Sequence, residues 1–263
     1  MKQYYFLSGI ARSGSTLLGS ILNQNPEFYV SPTSPLLDLY CLTEESIHKL
    51  TSQYTFDLNT VSQNIHKSLH HSFYANIDKP YIFDKHRGWP RNINTVKNII
   101  TQDPKVICTY RPIAENIVSF LKLANKDPNN FIDKSLRQYG REINLKNRAM
   151  CTWEHFSADP FYSMADGLKN NRKHILVINY HDLVVQPEVE LNRVYDFLKL
   201  PRFDHIYNNI ENTCTEDDMN WGMKNLHDIR PNLEKTSDDP LEVLGEELFE
   251  YFDNIDKQLR NYI

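Results

Sequence analysis

The sequence is poor in glycine, with 8 in 263 residues, and it holds 4 cysteines. Cys41, Cys108, Cys151 and Cys214 are widely scattered, with no Cys-x-x-Cys pair. That pattern argues against a disulfide framework or a cysteine zinc site and suits a reducing compartment. No apolar run approaches the roughly 20 residues that a membrane-spanning helix needs. Met1-Lys2 leads directly into the first apolar stretch, so no signal peptide is expected and the chain reads as cytoplasmic. Cations are not in excess, since 29 Lys and Arg against 34 Asp and Glu give a formal net charge of −5. Without a strongly basic stretch, bulk affinity for nucleic acid is not expected, because phosphate backbones are bound through clustered cations.

Internal repeats, low-complexity tracts and linkers are also missing. What remains is a chain of 263 residues, 40% of them hydrophobic, long enough to bury one sizeable core; a single domain over 1–263 is expected. Apolar stretches at 3–8, 80–84, 105–110 and 174–179 read as strands. They alternate with long helical segments, which predicts an α/β fold with a central, mostly parallel sheet and helices on both faces. Residues 26–35 contain Pro26, Pro32 and Pro35 and read as a loop. Residues 36–76 and 128–170 read as helical, and a closing helix starts near Leu241. The tract from Asn212 to Pro240 is rich in turn formers, so it is either a loop covering substrate or a surface excursion.

Two of the few glycines fall in one turn. Phe6-Leu7-Ser8-Gly9-Ile10-Ala11-Arg12-Ser13-Gly14-Ser15-Thr16-Leu17-Leu18 runs from an apolar strand into an amphipathic helix. Gly9 and Gly14 permit backbone angles closed to other residues, so the amides from Ser13 to Thr16 can converge on anionic oxygens at the positive end of a helix dipole. The Gly9-x4-Gly14 spacing matches a nucleotide-triphosphate loop, yet Ser15 occupies the position of that loop's lysine and Arg12 is the one cation in the turn. An arginine fork with hydroxyls suits a terminal oxyanion bound without metal better than a magnesium-bound triphosphate.

The segment Arg12-Ser13-Gly14-Ser15-Thr16-Leu17-Leu18 resembles the 5′-phosphosulfate loop of sulfotransferases that use 3′-phosphoadenosine 5′-phosphosulfate (PAPS). Two later pieces carry the same resemblance in order and spacing. Lys105 to Tyr110 reads as a buried strand ended by Arg111, with Ser119 eight residues on, similar to the family's pair for the 3′-phosphate. Ile175 to Tyr180 is similar to its late strand, whose tyrosine lies near the adenine; His181 departs from the glutamate common there. The likeness spans residues 6 to about 200 and implies a P-loop nucleotide-kinase-like sulfotransferase architecture, with PAPS as donor and no metal.

The resemblance also implies roles for further residues. Arg12 and Lys85 would meet negative charge growing on the leaving oxygen, and His86 would be the general base. Strand alternation complicates that pairing, because Lys85 and Arg87 share one face while Asp84 and His86 share the other. Relatives that sulfate protein tyrosines carry a base glutamate where Thr33 stands here, which disfavours such acceptors. Lys224 and Arg230 fall where the family's late loop closes over the 3′-phosphate. Trp89 reads either as a stacking ring for a ligand or as a packed core edge, and the His66, His70 and His71 group either as core histidines or as a partial metal set. The expected activity is sulfuryl transfer to a hydroxyl or amine of a small-molecule or saccharide acceptor. A kinase using magnesium-ATP and a non-catalytic nucleotide-binding protein are the alternatives.

Overall fold

Alternating apolar residues of β1 (Gln3–Gly9) bury on opposite sides of a sheet: Tyr4 and Phe6 in one core, Tyr5 and Leu7 in another. A strand buried on both faces needs layers on both sides, and the rest of the chain supplies them. The computed structural model describes residues 2–50, 57–219, 222–235 and 238–263. Its sheet contains β1, β2 (Phe28–Thr33), β3 (Tyr81–Lys85), β4 (Val106–Tyr110) and β5 (Ile175–Asn179) in the order β2-β3-β1-β4-β5, with every pair parallel. The four expected strands are present. The α/β reading holds.

The departure is β2, which lies inside the stretch read as a loop. It is an edge strand, where proline removes no needed ladder bond, and its register with β3 shifts between Val30 and Thr33, around Pro32.

The helices are α1 (Ser15–Leu22), α2 (Leu36–Leu50), α3 (Leu58–Phe73), α4 (Ile93–Ile99), α5 (Ile113–Lys126), α6 (Phe131–Gln138), α7 (Leu145–Thr152), α8 (Ala158–Asn171), α9 (Tyr180–Val185), α10 (Pro187–Leu198), α11 (Pro240–Leu244) and α12 (Glu246–Arg260). One face of the sheet packs on α2, α5, α8 and α12 through residues such as Tyr40, Ile117, Phe161 and Phe252, with Trp89 in the middle. The other packs on α1, α9 and α10 through Leu18, Leu183 and Val194. Residues 51–56, part of the helical expectation over 36–76, lie outside the described residues. The 212–240 tract has neither helix nor strand among its described residues before α11.

Trp89 is fully buried and donates its Nε1–H to Asp84 Oδ1 at 2.7 Å, so it is core. Of the histidine group, His66 and His70 are core as well, while His71 is exposed. His70 bonds the Tyr40 hydroxyl through Nδ1 at 2.8 Å, and burial pushes its pKa down to about 3. Among the described residues no group of three or more metal-ligating side chains is found.

The last long helix secures the element that follows β4. Asp256 of α12 accepts the Ile113 N–H at 2.7 Å, capping α5 from outside, and accepts the Tyr110 hydroxyl at 3.1 Å. Burial pushes the Asp256 carboxyl up to about 6 in spite of those two bonds. A carboxyl whose folded value lies above its unfolded one contributes stability at low pH that is lost as pH rises through the folded value. Asp256→Asn removes that dependence. Urea unfolding is expected to show the wild type losing roughly 2–3 kcal/mol relative to this variant between pH 4 and pH 7.

Candidate functional site

The carboxyl ends of parallel strands are where such sheets bind ligands, and here β1, β3 and β4 deliver the turn after Gly9, Lys85 and Arg111 to one place. Gly9 has φ 143°, and a Cβ on it would lie 2.2 Å from Thr109 Oγ1, so β1 reaches β4 only because that atom is missing. Gly14 has φ 91° and caps α1; a Cβ there would lie 2.7 Å from the Tyr180 ring. Among the described residues no side chain caps α1, whose first amides carry no intrahelical partner, and Gly14, Ser15 and Thr16 line a cavity of about 250 Å³. Arg12 has a left-handed φ of 62°, a strained choice for a residue with a Cβ. Its Nε donates to Ser119 Oγ at 3.2 Å, and a second nitrogen donates to the Leu226 carbonyl.

The cavity brings together Arg12, Ser15, Thr16, Lys85, Arg111, Ser119, Tyr180 and Arg230, all named in the sequence analysis, and adds Arg87, Lys122 and Lys126. The Arg111 guanidinium lies 4.8 Å from the Tyr180 ring centre and donates to Glu115 Oε2 at 3.0 Å. Burial, and then the neighbouring Arg111, lower the Arg12 pKa to about 10. Two guanidiniums that disfavour one another in a desolvated pocket are relieved by an anion between them. Burial lowers the Arg87 pKa too, with Glu216 opposing it.

Three expected site residues lie elsewhere. Ser13 is fully buried: its Oγ is 2.6 Å from Thr109 Oγ1, and its N–H donates to the Ile10 carbonyl at 3.2 Å. It staples the turn to β4 and has no donor left for a ligand. His86 is outside the cavity lining, with Nδ1 accepting from the Gly88 N–H at 3.0 Å and Nε2 at 3.4 Å from Asp38. β3 ends at Lys85, and the turn that follows leaves His86 outside the lining that Lys85 and Arg87 share. Lys224 is exposed and also outside the lining.

The 212–240 tract lines the cavity from Leu226 to Glu234 and again at Asp238. It also contributes what the sequence reading missed. Glu216 Oε1 accepts from Lys85 Nζ at 2.9 Å, from Thr33 N at 3.1 Å and from Thr33 Oγ1 at 2.7 Å. The carboxylate absent from position 33 thus arrives from 183 residues further along the chain. Burial opposes the Glu216 charge, but Lys85 and then His227 hold its pKa down to about 2. Lys85 Nζ also reaches Thr16 Oγ1 at 3.2 Å. His227 stands between Glu216 and Asp218, with Nε2 at 3.3 Å from Glu216 Oε2 and Nδ1 at 2.6 Å from Asp218 Oδ1. No periodicity or spacing in a turn-rich tract announces such residues.

The Lys85 and Glu216 side chains are only 8% and 6% exposed, so removing one partner strands a buried charge. Glu216→Leu is expected to destabilise the fold by roughly 3–5 kcal/mol in urea unfolding, and Lys85→Met in the same chain to recover most of that loss.

The family model described as the sulfotransferase family matches residues 5–205. No curated protein matches the chain in sequence. Among solved structures the fold is similar to the sulfotransferase domain from the curacin biosynthetic pathway, at 17% identity and a TM-score of 0.54 over 98% of this chain and 97% of that one. It is also similar to a sulfotransferase from Alicyclobacillus acidocaldarius, at 14% identity and a TM-score of 0.51 over 99% and 95% of the two chains. The structural likeness speaks to the fold, the family match covers well over half of the sequence, and the chain belongs to the sulfotransferase family.

Proposed function

We propose that the protein transfers a sulfuryl group from PAPS to a hydroxyl or amine of a small-molecule or saccharide acceptor. The observation that carries this reading is the arginine pair: Arg12 and Arg111 share a desolvated cavity beneath a helix start, and the turn that holds Arg12 has Ser15 in place of a lysine. That donor set favours two separate terminal oxyanions over a triphosphate bridged by magnesium. Arg12, Gly14, Ser15 and Thr16 would hold the phosphosulfate end. Arg111 and Ser119 would take the 3′-phosphate, Tyr180 the adenine, and Arg230 with Lys122 and Lys126 the outer edge. When bound, the donor supplies an activated sulfuryl group; Lys85 and Arg12 offer cations to the oxygen that leaves. Preorganised donors of this kind are typically worth about 3 kcal/mol each in a transition state. The 212–240 tract supplies part of the lining of this cavity of about 250 Å³, whose size suits a small acceptor. Four free cysteines, three of them buried, suit a reducing, cytoplasmic setting.

Thermal unfolding with adenosine 3′,5′-bisphosphate, 5′-AMP or magnesium-ATP tests the donor. At 100 times its dissociation constant a ligand adds about 2.7 kcal/mol, expected here as a midpoint rise of roughly 5–10 °C with the bisphosphate. A shift with magnesium-ATP alone would overturn the reading in favour of a kinase. Arg111→Ala is expected to weaken bisphosphate binding by about 1.5–3 kcal/mol and to leave 5′-AMP binding nearly unchanged; equal losses for both would refute the 3′-phosphate role.

A further inference from the structure

The proton acceptor is the part of the reaction that the strand-end residues do not provide, since His86 is turned away from the cavity and spends Nδ1 on a backbone amide. Any base must line the cavity, lie within reach of Lys85 and be neutral near pH 7. His227 meets these conditions. It lines the same cavity as Lys85. Asp218 grips it twice, with Oδ1 at 2.6 Å from Nδ1 and Oδ2 accepting the His227 N–H at 3.2 Å, so both ring and backbone are fixed by one carboxylate. Nε2 then faces Glu216 Oε2 at 3.3 Å, and the other oxygen of that carboxylate accepts from Lys85. Asp218, His227, Glu216, Lys85 and Thr16 therefore form one continuous polar chain ending on the phosphate-binding turn.

Resting on the sulfuryl-transfer reading above, we propose that His227 is the catalytic base, with Asp218 and Glu216 as its positioning residues. An Nδ1–H donated to Asp218 leaves the Nε2 lone pair as the proton acceptor. As the acceptor oxygen bonds to sulfur, its proton passes to His227 Nε2. The bond between sulfur and the bridging oxygen breaks, and that electron pair leaves on adenosine 3′,5′-bisphosphate. The imidazolium so formed lies between two carboxylates, which favour it over the neutral ring, and it returns its proton to solvent as the next acceptor enters. The groups facing the ring act in opposite directions. Burial and Lys85 lower its pKa, while Glu216 and Asp218 raise it, and the balance falls below the ordinary histidine value, so the base form prevails at neutral pH. Asp218 also interacts electrostatically with Arg12. Glu216, held as an anion beside Lys85, stabilises the proton after transfer.

The test uses the full chain, PAPS as donor and water as the acceptor, following release of the bisphosphate from pH 5 to 9, beside thermal unfolding with added bisphosphate. Wild-type turnover is expected to rise tenfold per pH unit on the acid side and to level off before pH 7. His227→Gln is expected to cut turnover by about 100-fold or more and to abolish the acid limb, with the bisphosphate-induced midpoint shift unchanged. Asp218→Asn keeps the imidazole and removes its orienting charge; it should lower turnover and displace the acid limb, which a purely structural role would not do. Added imidazole should restore part of the activity of His227→Ala. Wild-type turnover or an intact acid limb in His227→Gln would overturn the proposal. So would a wild-type protein that binds the bisphosphate and never cleaves the donor, and that outcome leaves the donor site standing. A protein whose midpoint the bisphosphate does not move fails at the donor reading instead.

Discussion

The contact between Gly9 and Thr109 is the constraint on which the site is built. Because Gly9 has no Cβ, β1 closes onto the end of β4, the Ile10 N–H reaches the Thr109 carbonyl at 3.2 Å, and Ser13 folds its hydroxyl back onto the same residue. The turn is thereby fastened to the strand that ends immediately before Arg111. Arg12, forced into a left-handed backbone, then lies across the cavity from Arg111, and two like charges are held together by backbone geometry rather than by mutual attraction. Strain and repulsion of this sort persist only where the surrounding fold over-determines them.

A second layer of the site depends on charge pairing across long stretches of chain. The Lys85 ammonium is neutralised by Glu216, Arg111 by Glu115, and Glu115 also meets His181 Nε2 at 2.8 Å. Arg12 differs, resting on a hydroxyl and a carbonyl. Among the described residues the direct hydrogen-bond partners of Arg12 are neutral, whereas Lys85 and Arg111 are each paired with a carboxylate.

What the sequence disclosed follows from how local the signal is. β1, β3, β4 and β5 are short apolar runs buried on both faces, and the glycine turn, Arg111 and Ser119 are placed by spacing along one or two elements, so each could be read from its own neighbourhood. β2 was hidden because Pro32 breaks the pattern of a strand and the edge position that tolerates it is a property of the sheet. Ser13 looked like a ligand hydroxyl because its role depends on Thr109, 96 residues away. Glu216, Asp218 and His227 sit in an irregular tract whose place is fixed by unlike means: Cys214 packs beside Gly19, Ser20 Oγ accepts the Thr213 N–H at 3.3 Å, and Asn23 donates to Thr213 Oγ1 at 3.0 Å. Contacts of that kind have no period. Lys224, by contrast, had the right charge in the right tract and faces solvent.

Asp256 caps α5 from the far end of the chain, and this sets an order of assembly during synthesis. All five strands have left the ribosome once Asn179 has emerged, so the sheet can form early. The start of α5, which follows Arg111 and carries Ser119, keeps an open N–H at Ile113 until residue 256 appears. The cavity roof and its acidic partners for Lys85 and His227 emerge only a little earlier, after residue 212. A nascent chain therefore holds its scaffold well before its binding site, and a ligand has nothing complete to grip until residue 256 has emerged.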